Sequence, residues 1–189
     1  MREWLITNGI GGYAASTDIG GMNIRRYHGL LIAPLNPPSQ RKLILSKVDE
    51  SIEIHGVNYN LFTNSTSNTV TEGYTFLKEF EKEIIPIYKF NVLDTKIEKS
   101  ICMLYGKNAV IVHYKIKNQD SKSKFKITPL INNRDFHSLT KDKNFSYTQK
   151  TDIDRVQISF QQEEQLKINM CVKSSNYIEH DNDIFYNMF

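Results

Sequence analysis

The run Asn23-Ile24-Arg25-Arg26-Tyr27-His28-Gly29-Leu30-Leu31-Ile32-Ala33 sets two guanidinium groups, a phenol and an imidazole directly ahead of an apolar segment. Arginine supplies a fork of donors, tyrosine an apolar face with a polar tip, and imidazole a donor or an acceptor. Such a set can orient a hydroxyl-rich ligand. It can equally form a buried structural network joining this chain to another body. In an extended segment Arg25 and Arg26 point to opposite faces, so at most one meets a given ligand. A second cluster, Pro129-Leu130-Ile131-Asn132-Asn133-Arg134-Asp135-Phe136-His137, poses the same choice. Arg134 and Asp135 can pair with each other or with groups elsewhere. His137 can act in acid–base chemistry or serve as a hydrogen-bond partner.

Other chemistries find less support. Gly9-Ile10-Gly11-Gly12-Tyr13-Ala14 formally fits a dinucleotide-binding fingerprint, which needs a following helix and an acid about 20 residues on. Here Ser16, Thr17, Asp18 and Gly20-Gly21 follow, and no acid lies between Asp18 and Asp49. Nucleotide binding is rejected, and the glycines suit a tight turn or a close backbone approach. The five histidines (His28, His55, His113, His137, His180) are scattered and no C-x-x-C is present, so no metal is expected. Neither Ser46 nor Ser138 sits in G-x-S-x-G. Glycoside hydrolysis needs two carboxyls about 5–5.5 or 6.5–9.5 Å apart. Among Glu3, Asp18, Asp49, Glu50 and Asp135 no pair stands out, and the neighbours Asp49 and Glu50 face apart in a strand.

The elements that must position these groups read as strands. Leu43, Leu45 and Val48 lead to Ile52 and Ile54. Val110, Val112, Tyr114 and Ile116 alternate, as do Val156, Ile158 and Phe160, then Leu166, Ile168, Met170 and Val172 after a polar Gln161-to-Gln165 turn. His55-Gly56, Gly106-Lys107-Asn108 and Asn118-Gln119-Asp120-Ser121 read as turns, and Pro37-Pro38-Ser39 as a break after the second strand. The best helix candidates, around Thr75 to Lys82 and Ile178 to Met188, are short. Many short strands spaced about 8–12 residues apart, with no crossover helices, predict an all-β antiparallel sandwich. One domain over residues 1–189 is the simplest division.

Composition agrees with a folded protein. The chain of 189 residues is 40% hydrophobic and 24% charged, with ten Tyr, ten Phe and one Trp. A net charge of +3, with lysines spread apart from a Lys122–Lys126 cluster, argues against nucleic acid. No run of about 18 apolar residues is present, so no membrane span is expected. Cys102 and Cys171 sit in apolar runs, and without a secretory signal they read as buried free thiols in a cytoplasmic protein.

Several separated motifs, taken in order, resemble the N-terminal domain of bacterial and archaeal glycogen debranching enzymes. They are Glu3-Trp4-Leu5-Ile6-Thr7-Asn8-Gly9-Ile10-Gly11-Gly12-Tyr13-Ala14, Arg25-Arg26-Tyr27-His28-Gly29-Leu30-Leu31, and Arg41-Lys42-Leu43-Ile44-Leu45-Ser46-Lys47-Val48-Asp49-Glu50. Gly73-Tyr74 with Leu77 and Phe80, Gly106-Lys107-Asn108, and Pro129-Leu130 with Arg134-Asp135-Phe136-His137 complete the set. The resemblance implies a supersandwich preceding a helical (α/α) barrel that carries the catalytic acids for α-1,6 hydrolysis in glycogen or related glucans. It implies the barrel of the same protein and an α-glucan as partners, and no cofactor. By motif match, Asn8, Arg25, Arg26, Tyr27, His28, Arg134, Asp135 and His137 form a polar surface toward the glucan or the barrel. Trp4 and Tyr13 are candidate stacking or docking aromatics, with ordinary core the other reading of Trp4. Because the chain stops at Phe185-Tyr186-Asn187-Met188-Phe189, an apolar end, it is expected to be an excised or truncated N-terminal part that is inactive alone. An independent carbohydrate-binding module and a self-sufficient hydrolase are the alternatives.

Overall fold

A computed structural model describes residues 1–20, 22–65, 70–119, 122–139, 146–161, 163–173 and 177–178. Of the described residues 66% are strand and 2% helix. Every strand pairing is antiparallel, so the expected all-β class holds. The chain divides into two compact units, Met1–Leu139 and Thr140–Tyr186.

In the first unit, β1 (Glu3–Thr7), β2 (Tyr13–Thr17), β3 (Gly29–Asn36), β4 (Ser39–Ile54) and β12 (Ser123–Asp135) form one sheet in that order. The short β5 (Val57–Asn60) also pairs with β4. A second sheet has the order β11 (Val110–Lys117), β10 (Thr95–Met103), β9 (Pro86–Val92), β8 (Leu77–Lys82). A small hairpin joins β6 (Thr63–Ser65) to β7 (Val70–Glu72). The second unit holds the meander β13 (Tyr147–Thr151), β14 (Arg155–Phe160), β15 (Glu163–Cys171).

Period-two alternation builds the core. Tyr88, Phe90 and Val92 of β9 and Ile97 and Ile101 of β10 point inward from the second sheet. They meet Trp4, Ala14, Leu30, Val48, Ile52 and Ile54 from the first. Each large apolar side chain so buried contributes about 1.5–3 kcal/mol. Val110, Val112 and Tyr114 pack against the same core while Ile111 and His113 face outward, as the alternation requires. At the sheet edge the Tyr114 and Phe125 rings meet edge-on at 5.2 Å.

Some local expectations need correction. Thr75 to Lys82 is not a helix. A 3-10 turn at Gly73–Phe76 leads straight into β8. A register shift between Leu77 and Glu79 lets Leu77 and Phe80, three apart, both face β9 and the core from one strand. Lys78, Glu79, Glu81 and Lys82 then point to solvent along an exposed edge. The other helix candidate, Ile178 to Met188, lies outside the described residues apart from Ile178. Pro37-Pro38 does not interrupt the sheet. It follows the third strand and makes a two-residue hairpin with Asn36 paired to Ser39. β15 begins at Glu163, before the expected Leu166, and ends at Cys171. Cys171 is exposed and Cys102 only half-buried, so neither thiol is a core residue. Among the described residues no helix is long and apolar enough to cross a membrane.

Candidate functional site

The Arg25–His28 segment is a turn rather than an extended strand start, closed by the His28 N–H donating to the Arg25 carbonyl at 3.0 Å. The turn sends its side chains to different partners. Arg25 Nε lies 2.7 Å from Glu3 Oε1 on β1. Arg26 Nη1 donates to the His137 carbonyl at 2.9 Å, and its guanidinium lies over the Tyr27 ring. The Tyr27 hydroxyl and His137 Nδ1 are 3.2 Å apart. Tyr27 also packs against Phe136, with ring centres 5.8 Å apart. The two sequence clusters therefore form one surface.

Arg134 ties that surface together. Its Nη2 donates to the Arg26 carbonyl at 2.5 Å, and its Nη1 to the Ser138 carbonyl at 2.8 Å. Nη1 also lies 3.2 and 3.3 Å from the Asp135 and Phe136 carbonyls. Asp135 does not pair with Arg134 through its carboxylate. That group accepts from the His137 N–H at 2.8 Å and so shapes the turn. An irregularity in the β12–β4 pairing between Ile131 and Arg134 aims the arginine at this turn.

Three of the expected site residues stand elsewhere. Asn8 is fully buried. Its Oδ1 accepts from the Ile10 and Gly12 N–H groups, and its Nδ2 donates to the Lys107 carbonyl and Asn108 Oδ1. It pins the glycine turn to the Gly106-Lys107-Asn108 turn, with no group left for a ligand. Trp4 is core: its Nε1 donates to the Tyr88 hydroxyl at 2.6 Å. His28 is buried beneath the turn, its Nδ1 accepting from the Ile24 N–H at 3.2 Å and its Nε2 3.9 Å from Glu3. Burial lowers the His28 pKa; Glu3 acts against this and Arg25 with it. Tyr13 remains at the surface, half-buried, with its hydroxyl donating to the Tyr27 carbonyl. Burial raises its phenol, while Arg41 and Arg134 both act to lower it.

Two of the carboxylates weighed for hydrolysis, Asp49 and Glu50, are engaged in buried ion pairs. Asp49 and Glu50 do face apart. Asp49 Oδ1 lies 3.0 Å from Lys47 Nζ, and its Oδ2 accepts from Asn64 at 2.7 Å. Glu50 Oε1 meets Lys99 Nζ at 2.6 Å and the Tyr114 hydroxyl at 2.5 Å on the other side of β4. All four charged groups are buried. Burial lowers the Lys47 pKa and raises that of Tyr114. Each carboxylate holds a fixed cation and neither opens to a cleft, a structural arrangement rather than an acid–base pair.

One residue of this surface was not anticipated. Arg41, at the start of β4, lies over the Phe136 ring at 5.4 Å. Its buried Nε has no hydrogen-bond partner among the described residues. It borders two open depressions. One, of about 310 Å³, is lined by Pro38, Ser39, Gln40, Phe136 and His137; the other, of about 450 Å³, by Leu5, Thr7, Gly9, Gly11, Gly12 and Tyr13. The sequence signal was only its place among positively charged strand residues, which does not separate it from Lys42. Among the described residues no cluster of His, Cys, Asp or Glu could hold a metal ion.

The family model described as glycogen debranching enzyme N terminal matches residues 2–189. No curated protein and no solved structure matches the chain.

Proposed function

The chain belongs to the glycogen debranching enzyme N-terminal family, and from that premise we propose that it is a non-catalytic β-sandwich that braces the catalytic helical barrel of the same cytoplasmic protein. In this role the surface built from Arg25, Arg26, Tyr27, Arg134, Asp135 and His137 abuts the barrel and shapes one wall of the glucan cleft. The observation that carries the reading is the mutual locking of the two segments, Arg26 onto the His137 carbonyl and Arg134 onto the Arg26 carbonyl. A surface built mainly from main-chain hydrogen bonds keeps its shape without a ligand, which suits a docking shoulder. The enzyme acts on α-1,6 branch linkages, and its catalytic acids lie outside these 189 residues.

Glucose release from a branched dextrin tests this. The chain alone is expected to be inactive, and the chain joined to its downstream coding region active. Release by the isolated chain that falls on replacing Asp49, Glu50 or Asp135 would establish the self-sufficient hydrolase instead. Calorimetric binding of maltooligosaccharide by the isolated chain at sub-millimolar sugar would favour a free-standing carbohydrate-binding module.

A further inference from the structure

We infer that the face docked on this surface is acidic: side-chain carboxylates from the downstream part of the same enzyme seat on the Arg26 and Arg41 guanidiniums, to either side of the Tyr27–Phe136 ring pair. The partner's identity rests on the proposed function, and its chemistry on the charges of this surface.

The surface carries more positive charge than it neutralises. Glu3 is taken by Arg25 at 2.7 Å, and the Asp135 carboxylate accepts from the His137 N–H. Among the described residues no carboxylate lies within ion-pair distance of Arg26, Arg41 or Arg134. Burial lowers the Arg134 pKa; Tyr13 and Asp135 act against this and Arg26 with it, so the two guanidiniums press on each other. Arg134 is spent on main-chain carbonyls. Arg26 is exposed and gives only Nη1 to a carbonyl, which leaves most of its five N–H donors for a partner. Arg41 is half-buried and its covered Nε has no partner among the described residues, while the residue meets the outside at both depressions. Opposite charge brought by a partner relieves this crowding and selects that partner over neutral or basic ones.

The spacing narrows the kind of anion. Arg26 lies 4.9 Å over the Tyr27 ring, the Tyr27 and Phe136 rings are 5.8 Å apart, and Arg41 lies 5.4 Å over Phe136. Two half-buried rings therefore separate the two cations, which do not converge on one point as a phosphate would need. Separate carboxylates with apolar side chains between them match the order cation, ring, ring, cation. Leu5, 52% exposed in the larger depression, extends the apolar part. Arginine and aromatic side chains are also the groups that dominate protein interfaces. The locking hydrogen bonds hold this order before docking, so little freedom is lost when a partner arrives. A second copy seated face to face would bring the same cations together.

The test uses the longer protein, the chain joined to its downstream coding region, carrying Arg26→Lys. The substitution keeps the charge at an exposed position. A water-soluble carbodiimide then condenses an amine with a carboxylate in contact with it, forming an amide with loss of water. Mass spectrometry of the digest is expected to find position 26 linked to an Asp or Glu beyond residue 189, a product absent from the unsubstituted protein. Arg41→Lys should link to a second downstream acid. Phenylglyoxal gives a readout without substitution: it should modify Arg26 in the 189-residue chain and spare it in the longer protein. The inference is overturned by an unprotected Arg26, which means nothing covers the surface. Protection with no downstream link from either position overturns it too, as do links only to Glu3, Asp135 or a second copy. Glucose release from a branched dextrin is a separate readout. Release without the links removes the acidic docking alone; the links without release remove the debranching reading alone.

Discussion

Arg134 and Arg26 stand 108 residues apart in sequence and hold each other's loops through main-chain carbonyls rather than through opposite charges. The finding makes the fork geometry of Arg134 the important property. Arg134→Lys keeps the charge but cannot reach four carbonyls from a single ammonium. Both Arg134→Lys and Arg134→Ala are expected to cost about 1–3 kcal/mol in urea unfolding, with the lysine variant recovering little. Full recovery by lysine would show that charge alone matters.

The Glu50–Lys99 pair is fully desolvated, so removing one partner strands the other. Lys99→Met should lose about 3–5 kcal/mol of stability. Adding Glu50→Gln should return much of that loss, because the amide is neutral and its oxygen still accepts from Tyr114. Denaturant midpoints of the two single variants and the double variant decide it, and strict additivity would contradict the pairing.

His28 gives a direction to the pH dependence. Burial holds its folded pKa below the ordinary value, so below about pH 6.5 the unfolded chain takes up a proton that the folded chain refuses. Its contribution to stability is therefore complete above the unfolded pKa. It declines as pH falls toward the folded pKa and levels off below it. His28→Asn, which keeps an acceptor for the Ile24 N–H, should flatten that part of the melting temperature profile between pH 7 and about pH 5. An unchanged slope would remove His28 as its source.

Two glycines with positive φ separate strain from crowding. Gly56 has φ 78° and open space where a Cβ would stand, so Gly56→Ala should cost about 1–2 kcal/mol from the backbone alone. Gly11 has φ 98°, and a Cβ there would lie 2.8 Å from the Pro38 Cα and carbonyl oxygen. Gly11→Ala should cost about 3 kcal/mol or more, because the obstacle is main chain. Thermal melts of the two variants give the comparison, and equal losses would refute the crowding argument.

The alternation of Val110, Val112 and Tyr114 was legible in the sequence because one face of β11 packs on the core and the other meets solvent. The opposed directions of Asp49 and Glu50 were legible for the same period-two reason. β8 was not, since a bulge lets residues three apart share a strand face and so imitates a helix. The meeting of the Arg25–His28 and Arg134–His137 segments depends on how β3, β4 and β12 line up, including the irregularity before Arg134, and no local pattern encodes that. Trp4 and Asn8 lay in motifs that resembled a surface, but both serve internal hydrogen bonds. Arg41 escaped notice because its isolation is a property of its surroundings.

The paired charges on β4 bear on how the domain assembles. β4 is 16 residues long and joins β3, β5 and β12, so its alignment governs the whole first sheet. Sliding it by one position would turn Lys47 toward the oily interior now occupied by Val48 and Ile52, and would part both carboxylates from their cations. A shifted register would leave charges buried without partners, so the ion pairs of β4 single out one alignment of the strand.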